Sequence, residues 1–76
     1  MTQVDREIKE NIESQLKEYL GASWLKRLSA ETDFSYEYVR KFFRSDIVQP
    51  ELLNSAVEFL ETVKTQRTEL LKRVAP

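Results

Sequence analysis

Arg40, Lys41 and Arg44 lie close together in the chain, with Ser35, Tyr36 and Glu37 just before them and Ser23 and Lys26 upstream. Each of these side chains can take part in polar recognition. A guanidinium can fork onto a guanine edge or a phosphate, a carboxylate can accept from cytosine N4, and a tyrosine ring can meet a thymine methyl. The same groups can equally form an ordinary solvated helix face, with Glu37 paired to Arg40 or Lys41. Other chemistry has less to work with. The 76 residues include no cysteine and no histidine, which removes disulfides, thiol nucleophiles, imidazole acid–base catalysis and Cys/His zinc sites. Glu7, Glu10, Glu13, Glu18, Glu58, Glu61 and Glu69 stand among Lys and Arg on faces expected to be solvated. So short a chain offers no cleft to desolvate them. We expect no enzyme, no metal, no cofactor and no small-molecule ligand.

The chain that carries these groups reads as helical. One glycine and two prolines stand against 33% charged and 41% hydrophobic residues, a balance that favours an all-α fold. The length allows a single domain, 1–76, of marginal stability. No apolar run reaches the roughly 20 residues that span a bilayer, and Asp5, Arg6 and Glu7 break up any leader-like start. The expected address is cytoplasmic, in a bacterial or phage-infected cell. Net charge is −1, yet residues 22–49 carry Lys26, Arg27, Arg40, Lys41 and Arg44 against Glu31, Asp33, Glu37 and Asp46. This is the one net-positive stretch.

Val4, Ile8, Ile12, Leu16 and Leu20 recur four apart beside Tyr19, predicting an amphipathic helix from about 5 to 20. Gly21 follows as a left-handed helix terminator. Ser23 is the expected N-cap of a second, shorter helix with Trp24, Leu25 and Leu28 inward. Ser35 is the expected N-cap of a third, with Glu37 favourably placed in its first turn and Tyr38, Val39, Phe42 and Phe43 inward. Pro50 and Glu51 open a long last helix, about 50–74, with Leu52, Leu53, Ala56, Val57, Leu60, Val63, Leu70, Leu71 and Val74 in its stripe and Phe59 off centre. The aromatic cluster of Trp24, Phe34, Tyr38, Phe42 and Phe43 belongs in a core, leaving Tyr36 outside. With Val39 and Phe42 inward, 100° per residue turns Ser35, Tyr36, Glu37, Arg40, Lys41 and Arg44 to solvent.

Two short helices joined by a tight turn prove little alone. The spacing of Leu28, Phe34, Val39 and Phe42, with Phe43 next, is more specific. It resembles the helix-turn-helix of the Cro and lambda-repressor (XRE-type) family over about residues 22–65, with the helix-turn-helix at about 23–44. Ser29 stands where that family usually has alanine, Thr32 where a larger apolar residue is usual, and Asp33 in place of the usual turn glycine. The resemblance implies a small four- to five-helix lambda-repressor-like domain with a long C-terminal helix. It also implies that the third helix enters the major groove of double-stranded DNA. Tyr36, Glu37, Arg40 and Lys41 would then read bases, with Ser35 at the helix start and Arg44 on phosphate. Ser23, Trp24 and Lys26 would clamp a backbone phosphate at the second helix.

The leading expectation is therefore a sequence-specific transcriptional regulator, in form a phage- or mobile-element-type repressor resembling Cro. The alternative is a protein–protein interaction module, such as an adaptor, antitoxin or anti-repressor, on the same scaffold. Near-neutral charge favours that alternative, because it supplies little nonspecific attraction to phosphate. A plain helical bundle or coiled-coil assembly factor comes third. A homodimer through about residues 63–74 is expected, because Leu70, Leu71 and Val74 extend the stripe beyond what one domain core needs. The competing arrangement folds that tail back onto helix one.

Overall fold

Gly21 divides the first helix from the rest. It takes φ +70°, a left-handed conformation that a side chain would strain, and it follows α1 (Gln3–Leu20) directly. A computed structural model of the chain describes residues 3–74, residues 3 and 4 by backbone alone. The side chain of Val4 therefore lies outside the described residues. After α1 come a 3-10 turn (Gly21–Ser23), α2 (Trp24–Ala30), α3 (Tyr36–Arg44) and α4 (Pro50–Val74). The fold is all-helical, and no strand occurs among the described residues.

Ser23 does not cap α2 with its side chain. Its hydroxyl donates back to the Leu20 carbonyl at 3.3 Å, and the Trp24 amide donates to the Gly21 carbonyl. After the left-handed Gly21, the 3-10 turn leads directly into α2, and the Ser23 side chain makes no cap there. Ser35 does cap α3. Its backbone is extended, and its hydroxyl accepts from the Tyr38 amide at 3.2 Å, satisfying one of the four amides a helix start leaves open.

Between these helices, Thr32 closes the turn. Its amide and its hydroxyl both donate to the Ser29 carbonyl, at 3.2 and 3.1 Å, and the hydroxyl accepts from the Phe34 amide at 3.2 Å. Asp33 takes no positive φ. The turn thus closes through a threonine hydroxyl, without the left-handed residue that Asp33 could have supplied. The Ser29 hydroxyl is folded back onto the Lys26 carbonyl at 2.9 Å, inside its own helix.

Leu28, Val39 and Phe42 are buried in one core with Ile12 and Leu16 of α1, Trp24 of α2, and Leu52, Ala56, Leu60 and Val63 of α4. Phe34 is only half-buried, because it sits at the rim of the turn and stacks on Tyr38 with ring centroids 5.3 Å apart. Trp24 meets Phe43 edge-on at 5.1 Å, and Phe43 meets Phe42 at 5.2 Å. These rings are core.

Ile8 is exposed, and Lys9 is buried to 5% exposure in its place. Helical rotation explains the exchange. Eight residues before Leu16 the helix is about 80° out of phase with it, whereas seven residues before it is only about 20° out. Val57 in α4 is likewise exposed, while Phe59 packs against the core.

Helix α4 runs beside α1 in the same direction: Lys9 meets Ile47 just before α4 at one end, and the Arg67 guanidinium lies 5.7 Å from the Tyr19 ring at the other. Beyond that contact α4 continues unbroken to Val74. The tail does not fold back onto α1. It extends past the end of that helix, leaving Leu70, Leu71 and Val74 at 56, 57 and 69% exposure. The molecule is accordingly elongated, 46 Å by 25 Å by 20 Å.

Candidate nucleic-acid interface

The nine residues of α3 are anchored by Val39 and Phe42, which have essentially no exposed surface. That anchoring decides what the opposite face presents. Tyr36, Glu37, Arg40, Lys41 and Arg44 are all exposed, and Tyr36 leaves 44% of its surface open. The rest of Tyr36 is covered by the fold, and its open surface is available for contact. Glu37 and Arg40 are 3.6 Å apart, one turn from each other on the helix surface. Such a pair contributes a few tenths of a kcal/mol at most, so a stronger partner could take Arg40 from it.

Ser35 contributes in a different way. Its hydroxyl is engaged with the Tyr38 amide, so it holds the start of the helix. Ser23 and Lys26 are exposed on the other helix of the pair, but the Trp24 amide is already used within the 3-10 turn. The Trp24 amide is therefore not open to the expected phosphate clamp, whereas the Lys26 ammonium is exposed there.

Two features of this surroundings were not expected. Arg40 and Arg44 form one wall of a groove whose other wall is α1, with Glu10, Glu13 and Lys17, over a floor that includes Trp24 and Phe43. The basic face is thus bordered by acids on the α1 side. The second feature is Lys9. Its ammonium donates to the carbonyls of Phe42, Ser45 and Ile47 at 2.8, 3.2 and 2.8 Å, and it stands 3.9 Å from the centroid of the Phe42 ring. Burial pushes its pKa below the ordinary 10.5, opposed by Asp46 and Asp5. One turn earlier on α1, Arg6 pairs with Asp46 at 3.0 Å. Both residues fasten α1 to the segment that leaves α3.

No protein-family model, curated protein or solved structure matches this chain. Among the described residues, no group of three or more acids could hold a metal ion, and no helix is long and apolar enough to cross a membrane.

Proposed function

We propose that the chain is a sequence-specific double-stranded DNA-binding domain of the lambda-repressor-like, XRE helix-turn-helix type, acting as a transcriptional regulator that occupies an operator. One observation carries the reading. A short helix, anchored to its neighbour by Leu28, Val39 and Phe42, turns Tyr36, Glu37, Arg40, Lys41 and Arg44 outward together. In this reading the N-terminal half of α3 meets base edges in the major groove, while Arg44 and Lys26 hold phosphate. It is a binding function without catalysis. Two copies pair through the end of α4, so that each reads one half-site. Exposed Leu70, Leu71 and Val74 support that pairing. Val63 is buried in its own domain, so the contact begins after it.

Substitutions graded by role test the reading. Arg40→Ala or Lys41→Ala is expected to weaken a selected site by about 1–3 kcal/mol and relax preference at one base pair. Arg44→Ala is expected to weaken all duplexes alike and lower the salt slope by about one unit. Identical losses on selected and random duplexes for all three variants would contradict base reading.

The second reading, a protein-interaction module, is favoured by one feature. Glu10 and Glu13 face the groove beside Arg40 and Arg44, where they would repel a phosphate backbone approaching over α1. A protein partner would bind without releasing counterions, so weak dependence of affinity on salt would identify it.

A further inference from the structure

Lys9 is a buried cation that the proposed contact surface does not use. Helix α1 presents it on the same side as Leu16, and its three N–H donors are matched by three carbonyl acceptors. Phe42 belongs to the last turn of α3, where carbonyls lack partners within the helix. Ser45 and Ile47 lie in the segment that connects α3 to α4. Ser45 is extended, with φ −136° and ψ −175°, so the chain leaves α3 without the left-handed cap that closes many helix ends. Its hydroxyl donates to the Lys41 carbonyl at 2.6 Å. A cation beside a helix C-terminus also meets the negative end of the helix dipole.

We propose that Lys9 is a positioning residue: by tying the end of α3 and the following segment to α1, it sets the angle at which the Tyr36–Arg44 face is presented. The proposal rests on the reading of that face as the DNA surface. Lys9 itself does not touch the nucleic acid, since its ammonium is buried and its donors are occupied. The Arg6–Asp46 pair is an exposed second strap on the same segment.

The test uses the full chain, Lys9→Met, Lys9→Arg and Lys9→Gln, at a temperature where circular dichroism shows each folded. Amide exchange is followed residue by residue. Binding is measured to a duplex enriched from a random-sequence pool and to a scrambled duplex of equal length, over a range of salt. In Lys9→Met, exchange is expected to accelerate over residues 43–48 and not in α2 or the middle of α4. The ratio of enriched to scrambled affinity is expected to fall about tenfold, with the salt slope unchanged. Lys9→Arg, which keeps several donors, is expected to recover part of the ratio. If Lys9→Met does not fold, Lys9→Gln, which keeps an amide donor, carries the same comparison. An unchanged ratio, or exchange that rises uniformly through the domain, would overturn the proposal. A salt slope lower by one would instead make Lys9 a phosphate contact and also overturn it. If the parent prefers no duplex, the DNA reading fails, while the exchange pattern still decides whether Lys9 holds the end of α3.

Discussion

The two ends of α3 are held by different means. At its start, Ser35 caps an amide three residues ahead of it. At its end, Lys9 reaches carbonyls 33 to 38 positions away in the chain. The first device is local and can form as soon as the helix does. The second exists only when α1 has assembled against the end of α3 and the segment that follows it. Holding the two ends this way separates the local closing of the start of α3 from its placement against α1.

Substitutions sharpen that contrast, beginning with the anchor that both ends presuppose. Val39→Asp is expected to unfold the domain, since an unpaired buried carboxylate costs several kcal/mol or more; a melt like the parent's would break the packing account. Lys9→Met comes next, with an expected loss of roughly 1–3 kcal/mol in denaturant unfolding as carbonyls are left without donors. Ser35→Ala is expected to cost about 1 kcal/mol and to speed exchange at the start of α3 only. If the two variants loosened the same end of α3, the two-device picture would fail. Glu10→Gln and Glu13→Gln are expected to leave stability nearly unchanged and to raise binding to random duplexes slightly, as repulsion of phosphate falls.

A second contrast lies within α4. Leu52, Ala56, Leu60 and Val63 are buried, whereas Leu70, Leu71 and Val74 continue the stripe into solvent. A chain stopped after Thr68 is expected to keep its fold and to lose self-association in sedimentation, with or without duplex. Equal association of both lengths would remove the tail from the dimer.

What the sequence made legible were the features whose causes are local. The left-handed Gly21, the cap at Ser35, and the inward Leu28, Val39 and Phe42 each follow from a residue type and a short spacing. Lys9 was hidden for the opposite reason. Nothing near it in the chain announces its carbonyl partners, and the four-residue stripe pointed to Ile8 instead. Ser23 misled because a serine before an apolar helix reads as a cap, while here its hydroxyl turns back to the Leu20 carbonyl. Thr32 stood out as a departure from the pattern of the helix-turn-helix family that the sequence resembles. In the fold its hydroxyl closes the turn. The basic residues of α3 were visible from spacing, but the acids bordering them come from another helix and needed the tertiary arrangement.

The most direct measurement is the affinity of the full chain for an enriched duplex and for random duplexes of equal length, each followed against salt. The account predicts that the enriched duplex binds about a thousandfold more tightly, and that affinity for both falls steeply as salt rises. Equal affinity for enriched and random duplexes, or binding too weak to show any salt slope, would contradict the claim that α3 reads DNA sequence.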